Sequence, residues 1–191
     1  MDTVKIECSR PYEVLVGAGL LDTAGEHIAR TTGCQTAAVV ADDTVDALYG
    51  DRVQVSLERA GCRVVRFRFP HGEQSKTIAS CVRLLRGLAE NRLTGSDAGV
   101  ALGGGVTGDL AGFAAATCMR GMALVQLPTT LLAAVDSSVG GKTAVDLPQG
   151  KNLAGAFHQP SLVLCDCDTL DTLPADVFRD GCAEVIKYGV L

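Results

Sequence analysis

The sequence predicts an α/β fold in which helices cover both faces of a mostly parallel β-sheet. Apolar runs of strand length alternate with segments of helical periodicity along the whole chain. One run, TAAVVADD (36–43), is continuously apolar until two acids end it, which is typical of a buried parallel strand. With 191 residues, 47% of them hydrophobic, the chain can build one full core but is marginal for two domains.

The first half of the chain is predicted to contain four strands and three helices. Alternation of apolar and polar residues predicts that the first two strands form a hairpin. Gly33 and Gly61 follow two of the helices, at the position where glycine commonly ends a helix. The strands are residues 4–8, 12–16, 36–43 and 62–69, and the helices are residues 20–30, 45–60 and 75–90.

The second half is predicted to contain three more strands and three more helices. Pro128 stops one strand, and Pro174 precedes the final helix, inside which the chain ends. Residues 135–152 are predicted to form a long loop, and the ordered flanks favour a functional loop over a disordered one. The strands are residues 97–102, 123–127 and 161–166, and the helices are residues 110–117, 129–138 and the segment after Pro174.

Composition and charge argue against several classes of function. The 17 basic and 22 acidic residues give a net charge of −5, and the lack of a basic block argues against binding to nucleic acid or an anionic membrane. No apolar run approaches the roughly 20 residues that span a bilayer, and the first residues lack the layout of a secretory signal. We therefore expect a soluble, cytoplasmic protein whose eight cysteines are reduced and mostly buried thiols.

Small, polar or charged residues follow five of the predicted strands. Ligands bind outside the carboxyl ends of parallel strands in open α/β sheets, so these segments form the candidate site. They are Asp42 and Asp43, HGEQSK (71–76), GGGVTGD (103–109), PTT (128–130) and CDTL (167–170).

The stretch GGGVTG (103–108) fits the pattern G-x-G-x-x-G between a strand and a helix. That spacing lets backbone N–H groups approach a phosphate at a helix N-terminus, although glycines also serve ordinary tight turns. A dinucleotide fingerprint has an acid about 20 residues further on, and residues 123–128 contain none. Asp42 could take that role with the ribose, while the carboxylate of Asp109 suits a ligand hydroxyl or a nicotinamide-side group.

Four of the five lysines lie in segments rich in glycine or small polar residues. These four are Lys76, Lys142, Lys151 and Lys187. Solvated loops would explain any one of them, but four together indicate a small ligand with several negative charges, because an ammonium group suits phosphates, carboxylates and alkoxides. Residues 135–152 add Asp136, Asp146 and Asn152 to the same region. Arg120 is either a helix-end charge or a phosphate contact.

Glu184 and Lys187 are three residues apart on the last predicted helix and so share one face. They are either a surface ion pair or a metal ligand beside a catalytic lysine. The histidines His27, His71 and His158 have no ligand spacing to one another. Because a catalytic zinc site needs three protein ligands, these residues alone complete no metal site.

Several longer motifs resemble the 3-dehydroquinate synthase family of the sugar phosphate cyclases. Related cyclases and iron- or zinc-dependent polyol dehydrogenases share the GGG…D pattern, whereas DSSVGGKTAVD followed by GKNLAGAF is closer to dehydroquinate synthase. The resemblance covers essentially the whole chain and is most specific over residues 99–189. The motifs are GEQSK, ALGGGVTGDLAGFAAATCMRG, QLPTTLLAAVDSSVGGKTAVD, GKNLAGAFHQP and AEVIKYG.

The resemblance implies a Rossmann-like, NAD-binding domain over residues 1–174 and, over residues 175–191, the first helix of an otherwise missing C-terminal helical domain. It implies a carbon–oxygen lyase of the shikimate pathway that converts 3-deoxy-D-arabino-heptulosonate 7-phosphate to 3-dehydroquinate and phosphate. NAD would be recycled within each turnover, and zinc or cobalt would polarise the oxidised hydroxyl. The enzyme would be a homodimer with a small sugar phosphate as substrate, and this chain alone would lack cyclase activity.

Residue roles implied by the resemblance carry over to the matching positions. The substrate and catalytic positions are Lys142, Lys151, Asn152, Lys187, Asp136 and Arg120. The NAD-binding positions are Asp42, His71, Gly72, Glu73, Gln74, Ser75, Lys76, Gly104, Gly105, Val106, Thr107, Gly108, Asp109, Thr129, Thr130, Leu132, Lys142, Lys151, Thr169, Leu170, Asp171, Thr172 and Leu173. Glu184 would be the first metal ligand, and Arg120 would reach the substrate phosphate of the neighbouring subunit.

Two other interpretations remain open. One is a different sugar phosphate cyclase or a polyol dehydrogenase, although dehydrogenases lack the lysine pair with GKTAVD. The other is a non-catalytic NAD-binding fragment, which the missing metal histidines favour.

Overall fold

The computed structural model describes residues 1–190. These residues form nine strands and six α-helices. The strands are β1 (Asp2–Ile6), β2 (Tyr12–Gly17), β3 (Thr36–Asp42), β4 (Arg63–Phe69), β5 (Ala98–Gly103), β6 (Ala123–Pro128), β7 (Lys142–Leu147), β8 (Gly150–Phe157) and β9 (Leu162–Asp166). The helices are α1 (Leu20–Thr32), α2 (Asp43–Val45), α3 (Asp51–Arg59), α4 (Ile78–Glu90), α5 (Gly105–Thr117) and α6 (Ala175–Val190).

Seven of the strands form one sheet in the order β1-β2-β9-β6-β5-β3-β4. β1 pairs antiparallel with β2, and every other neighbouring pair in this sheet is parallel. β7 and β8 form a separate antiparallel hairpin. The predicted α/β fold with a mostly parallel sheet is confirmed, and the parallel strands all end at the same edge.

Hydrophobic clusters lie on both faces of the sheet. Leu21 and Ile28 of α1 and Leu57 of α3 pack on one face. Leu84 of α4 and Leu110 of α5 pack on the other face, against the alternate residues of the same strands. Because β3 and β5 are covered on both faces, they are apolar at nearly every position.

The predicted start of α4 at residue 75 is wrong, since the helix begins at Ile78. Thr77 is the N-cap, and its hydroxyl oxygen accepts the N–H of Ser80 at 3.2 Å. Lys76 therefore lies in a turn ahead of the helix instead of inside its first turn. Because Lys76 precedes the helix, its side chain extends away from α4 and contacts Asp109 and Asn152.

The predicted start of α5 at residue 110 is also wrong, because the helix begins at Gly105 and includes several glycines. A Cβ atom at Gly112 would lie 2.4 Å from Cγ2 of Thr143 and 3.4 Å from Cδ2 of Leu124. The helix thus packs directly against β7, at a distance that only glycine allows. This packing outweighs the low helix propensity of glycine.

Residues 135–152 do not form the predicted long loop, because much of the segment belongs to the hairpin β7–β8. Thr143 and Val145 are buried and alternate with more accessible neighbours, as in a strand with one covered face. Residues 148 and 149 form the turn between the two strands. The high content of glycine and polar residues in the segment hides this short alternation from a sequence-based prediction.

The last described helix, α6, packs mainly on the segment that follows β6. Gly181 is its closest point, since a Cβ atom there would lie 2.6 Å from Cβ of Leu131. Val185, Ile186 and Val190 are large apolar residues of α6 that remain exposed. The helix therefore contributes little to the two main clusters of the core.

All eight cysteines are free thiols; Cys34, Cys62, Cys81 and Cys165 are buried, and Cys167 is exposed. The expectation of mostly buried thiols therefore holds for these four only.

Within residues 1–190, no helix combines the length and apolarity needed to cross a bilayer.

Candidate functional site

The candidate site lies along the carboxyl edge of β6, β5, β3 and β4, which are neighbours in that order. The turn HGEQSK follows β4, the glycines of α5 follow β5, and PTT follows β6. The hairpin β7–β8 lies over this edge, since β7 contacts α5 and Asp146 bridges to Thr77. The segments predicted from the sequence to flank the ligand are therefore neighbours in space.

Lys76 is the buried cation at the centre of this edge, with 4% of its surface exposed. Its ammonium group donates to Oδ1 of Asn152 at 2.7 Å and to Oδ2 of Asp109 at 3.1 Å, and it lies 3.3 Å from Oε1 of Glu73. Burial by itself lowers the pKa of Lys76, but the bonds to Asp109 and Glu73 outweigh burial and leave the pKa raised. Lys76 is therefore a fixed positive charge at neutral pH.

Asp109 lies in the N-terminal part of α5 and faces Lys76. Burial raises its pKa above the usual value, although the ammonium group of Lys76 opposes this shift. The neighbouring carboxylates of Glu73 and Asp146 raise it further. A ligand with a hydroxyl group would thus meet a carboxylate that accepts a hydrogen bond or a proton more readily than a surface aspartate.

Glu73 brings a second lysine to the same place. Its Oε1 atom lies 3.3 Å from Nζ of Lys76 and 3.2 Å from Nζ of Lys151. Lys151 is largely exposed, so its charge is available to a ligand in solution. The sequence-based expectation that these two lysines share one site agrees with this geometry.

A cavity of about 510 Å³ opens beside Lys76 and Asp109. Asn152 lines it and also bonds Lys76, so the buried ammonium group lies just behind the cavity wall. Lys142 lines the same cavity. The residues that line it with a polar or aromatic group include Asp109, Asp136, Ser137, Lys142, Asn152 and Phe157. Lys142 can bind an anionic group, while the carboxylates of Asp109 and Asp136 can accept hydrogen bonds from hydroxyl groups. The lining therefore suits a ligand that carries both kinds of group.

The N-terminus of α5 provides backbone donors at the same edge. The first N–H groups of an α-helix have no partner within the helix, and here they belong to Gly105, Val106 and Thr107. A Cβ atom at Gly105 would lie 3.2 Å from Oγ of Ser137, and one at Gly104 would lie 3.3 Å from Cγ2 of Thr130. Glycine backbone, free N–H groups and a positive helix end suit the phosphates of a nucleotide. The residues present therefore fit the phosphate part of a dinucleotide.

The turn that begins with His71 is held by hydrogen bonds within it and by a contact to Asp43 of α2. The N–H group of His71 donates to Oδ1 of Asp43 at 3.1 Å, and Nδ1 of His71 lies 2.8 Å from the same oxygen. This contact lowers the pKa of Asp43. Gln74 Nε2 donates to the carbonyl of His71 at 2.8 Å, and the hydroxyl of Ser75 donates to the carbonyl of Pro70. The turn therefore presents Glu73 and Lys76 from a rigid frame.

Asp42 lies at the end of β3 and caps α2. Its Oδ1 atom accepts the N–H groups of Thr44 at 3.0 Å and Val45 at 2.9 Å. Capping is a structural role that the sequence analysis did not assign to it. The expected contact of Asp42 with a ribose stays a prediction.

The segment after β9 is anchored through a tyrosine that the sequence analysis missed. The hydroxyl of Tyr49 lies 2.6 Å from Oγ1 of Thr172 and donates to the carbonyl of Thr169 at 3.4 Å. Thr169 is almost fully buried. Residues 169–173, which were predicted to bind NAD, are therefore held in place at the carboxyl edge of the sheet, where Asp42 also lies.

α6 reaches the cavity through its last described turn. Lys187 and Glu184 form an ion pair, as one reading of their spacing predicted. The hydroxyl of Tyr188 donates to Oδ1 of Asp136 at 2.8 Å, and Asp136 lines the cavity. Lys187 lies 4.9 Å above the ring of Tyr188, so its ammonium group is also held near this wall.

The family model described as 3-dehydroquinate synthase N-terminal matches residues 66–180 of the chain. The chain belongs to the 3-dehydroquinate synthase family. The resemblance read from the sequence motifs is thereby confirmed. The 3-dehydroquinate synthase of Caulobacter vibrioides is 54% identical over 183 residues, which cover 95% of this chain and 50% of that protein. The chain thus spans about half the length of the curated relatives it matches.

Solved structures of sugar phosphate cyclases have the same fold. A 2-deoxy-scyllo-inosose synthase complexed with carbaglucose-6-phosphate, NAD⁺ and Co²⁺ is 31% identical, with a TM-score of 0.91 over 97% of this chain and 51% of that chain. The 2-epi-5-epi-valiolone synthase of Streptomyces hygroscopicus subsp. jinggangensis 5008, with NAD⁺ and Zn²⁺ bound, is 30% identical, with a TM-score of 0.81 over 98% of this chain and 51% of that chain. The Rossmann-like fold expected for a member of the 3-dehydroquinate synthase family is therefore confirmed.

The described part of this 3-dehydroquinate synthase family member does not complete a metal site. Within residues 1–190, no three histidine, cysteine, aspartate or glutamate residues cluster in a way that could hold a metal ion. Glu184 has the ammonium group of Lys187 as its partner. The donor set of this chain therefore does not fit a catalytic metal by itself.

Arg120, another predicted site residue, lies apart from the cavity. It ends the short 3₁₀ turn Cys118–Arg120 that follows α5, whereas Asp109 lies near the start of that helix. Arg120 is exposed and has a left-handed backbone with a φ of 66°. Within one chain it does not reach the cavity, so its expected role across a subunit boundary stays a prediction.

Proposed function

We propose that this chain forms the cofactor-binding half of a 3-dehydroquinate synthase. The reaction is the conversion of 3-deoxy-D-arabino-heptulosonate 7-phosphate to 3-dehydroquinate and phosphate, with recycled NAD and a divalent metal. Membership of the family supports this proposal. The observation that carries it furthest is the buried Lys76, which is hydrogen-bonded to Asp109 and Asn152 beside the glycine-rich start of α5.

NAD is proposed to bind across the carboxyl edge of β3, β5 and β6. The backbone of Gly104, Gly105 and Val106 would hold its phosphates, and Asp42 would accept a hydroxyl of its ribose. Residues 169–173 would border the adenosine. Bound NAD supplies a hydride acceptor, and Asp109 and Lys76 would orient the cofactor at its reactive end. The NAD⁺ bound to the two solved cyclases supports this assignment.

The sugar phosphate is proposed to bind in the cavity beside the cofactor. Lys142 and Lys151 would contact both ligands, while Asp136, Asn152 and Lys187 would bind substrate. A substrate with a phosphate and a carboxylate needs several cations at short range, and lysine supplies three donors in each compact charge. The lining of the cavity by Lys142, Asp136 and Asn152 supports this assignment.

The metal is proposed to be zinc or cobalt, with Glu184 as the one ligand from this chain. The solved cyclases that contain Co²⁺ or Zn²⁺ support the type of metal. Two further ligands would have to come from outside residues 1–190, because that part of the chain holds no cluster of metal ligands.

Residues 1–174 are proposed to be the NAD-binding domain, and residues 175–191 the first helix of a second, helical domain. Leu191 lies outside the described residues. The exposed apolar Val185, Ile186 and Val190 support this division, as does the greater length of the relatives. We further propose a cytoplasmic homodimer in which Arg120 contacts the substrate phosphate of the neighbouring subunit.

Calorimetric titration of the 191-residue chain with NAD⁺ tests the cofactor role, and a phosphate-release assay tests the reaction. We expect one NAD⁺ site per chain and no phosphate release from the sugar phosphate with NAD⁺ and Zn²⁺. Lack of NAD⁺ binding would contradict the cofactor role. Clear turnover by this chain alone would contradict the division of the active site between two halves.

The incomplete metal site also favours a second candidate, a non-catalytic NAD-binding module. The two candidates differ when the C-terminal half of the Caulobacter vibrioides relative is co-expressed with this chain. If this chain is half of an enzyme, the two halves together should then release phosphate from the sugar phosphate. A non-catalytic module should bind NAD⁺ unchanged and release none.

A further inference from the structure

Asp146 touches two of the proposed site residues but does not line the cavity itself. Its Oδ1 atom accepts the N–H group of Asn152 at 2.8 Å and lies 3.7 Å from Nζ of Lys76. Its own N–H group donates to the carbonyl of Lys76 at 2.8 Å. One residue of β7 thus holds the backbone of Asn152, the backbone of Lys76 and the ammonium group of Lys76.

The contact to Asn152 matters because Asn152 has an unusual backbone. Its φ of 57° lies in the left-handed region, which few residues other than glycine adopt, although asparagine tolerates it. The hydrogen bond from its N–H group to Asp146 stabilises this conformation. In this conformation the side chain of Asn152 contacts Lys76 and lines the cavity.

The hydrogen bond between Lys76 and Asn152 determines which end of the Asn152 amide faces the ligand. A lysine ammonium group only donates hydrogen bonds, so the amide oxygen of Asn152 must face Lys76, which it does at 2.7 Å. The NH₂ group of Asn152 then lies on the other side of the amide, and Asn152 lines the cavity. A hydrogen-bond acceptor, such as an oxyanion of the ligand, is what this group can bind.

We propose that Asp146 is a positioning residue for the proposed cofactor and substrate site. It keeps Asn152 in its left-handed conformation and Lys76 at the oxygen of the Asn152 amide, so that the NH₂ group of Asn152 faces an oxyanion in the cavity. The inference deepens the proposed function and rests on it for the identity of the ligand. The arrangement of the three side chains exists in the free protein and can be tested there.

The test compares Asp146→Ala, which removes the acceptor, with Asp146→Asn, which keeps an oxygen for the N–H group of Asn152. Asp2→Ala is the matched control, since Asp2 is an exposed aspartate in β1 at the far side of the sheet. Amide hydrogen exchange of Asn152 is measured by NMR in the ligand-free protein, and NAD⁺ affinity is measured by calorimetry. Melting temperatures show that each variant is folded.

In Asp146→Ala we expect the Asn152 amide to exchange about tenfold faster, since its hydrogen bond is lost. We also expect NAD⁺ to bind about tenfold more weakly, because Asp146 no longer faces the ammonium group of Lys76, which is proposed to orient the cofactor. Asp146→Asn should restore slow exchange, and Asp2→Ala should match the wild type. Unchanged exchange in Asp146→Ala would overturn the positioning role. Exchange that is equally fast in Asp146→Ala and Asp146→Asn would also overturn it.

Failure of the proposed function gives a different result. If the wild-type chain binds no NAD⁺, the cofactor assignment is wrong, but the exchange data still decide whether Asp146 holds Asn152. If NAD⁺ binds equally well to the wild type and Asp146→Ala while exchange differs, positioning by Asp146 does not extend to the ligand and the proposal is overturned.

Discussion

Lys76 shows how a single buried charge can organise a site. Isolated lysine burial disfavours the charged form, yet here Glu73, Asp109 and Asn152 accept its hydrogen bonds or face its charge. The same contacts keep the acceptors in place. Removing one member of this buried group leaves the charges and polar atoms of the others without partners. The effect of a substitution therefore exceeds that of one lost contact.

Lys76→Met should destabilise the protein by about 2 kcal/mol and weaken NAD⁺ binding at least about tenfold. The loss is smaller than for a fully buried pair, because Glu73 and Asp109 are partly exposed and water screens their charges. Lys5→Met is the control, since Lys5 is exposed in β1. Urea unfolding and calorimetry measure both effects; equal stability and affinity in the two variants would contradict the role of Lys76.

The pKa of Asp109 should lie above 3.8, the ordinary value for an aspartate, and should rise further in Lys76→Met, which removes the interaction that lowers it. Between the unfolded and folded pKa values, the native state binds more protons than the unfolded state. Asp109 therefore makes the free energy of unfolding fall as pH rises from about 3.8 through the folded pKa. Carboxyl ¹³C shifts measured against pH check both statements, and a pKa at or below 3.8 would contradict them.

Cysteine reactivity should follow burial. Burial raises the pKa of Cys62 to about 11 and that of Cys165 to about 12, whereas Cys167 is exposed. Because the thiolate is the reactive form, a disulfide reagent at pH 8 should modify Cys167 first and reach the other two only after unfolding. Mass spectrometry of peptides identifies the modified site, with Cys167→Ser as the control; early modification of Cys62 would contradict the burial argument.

At the scale of elements, the site depends on how closely α5 lies against the hairpin β7–β8. Gly112 permits that contact, and the hairpin carries Lys142 and Asn152. Asp146 then connects the hairpin to the turn before α4. The contact at Gly112 therefore helps to set the position of residues 30 and 40 places further along the chain.

Gly112→Ala should destabilise the protein by about 1 to 2 kcal/mol, because its Cβ atom would overlap Thr143. The better helix propensity of alanine offsets part of this loss. Gly99→Ala is the control, since a Cβ atom there would meet its nearest neighbours at 3.7 Å, an ordinary contact. Urea unfolding measures the difference, and equal stability of the two variants would show that α5 and β7 can separate freely.

At the scale of the whole molecule, the sheet and its two clusters form a core that α6 barely enters. Its apolar Val185, Ile186 and Val190 are exposed, while its Tyr188 contacts the cavity wall at Asp136. The chain spans about half the length of its curated relatives. These facts agree with the proposal that α6 belongs to a second, helical domain.

A chain ending at Pro174 should therefore keep a cooperative thermal transition, with a melting temperature only a few degrees lower. Its helices and sheet should persist, because α6 packs mainly on one segment after β6. Circular dichroism during heating measures the transition, with the 191-residue chain as the reference. Loss of the cooperative transition would mean that α6 is part of the core of the first domain.

The sequence by itself determined the parallel α/β order, because continuous apolar runs and helical periodicity are local properties that each segment carries alone. It also determined the family, through contiguous motifs such as DSSVGGKTAVD. It predicted which strand ends carry polar residues, since those residues directly follow each strand.

Only the tertiary structure decided the start of α5 within its glycines, the hairpin in place of a long loop, and the contacts of Tyr49, Asp146 and Tyr188. The glycine helix and the hairpin are stabilised by packing against each other, so neither has a sufficient signal in its own residues. Tyr49 and Tyr188 contact partners 123 and 52 positions away. Such contacts depend on how the chain folds back on itself, and no local pattern encodes them.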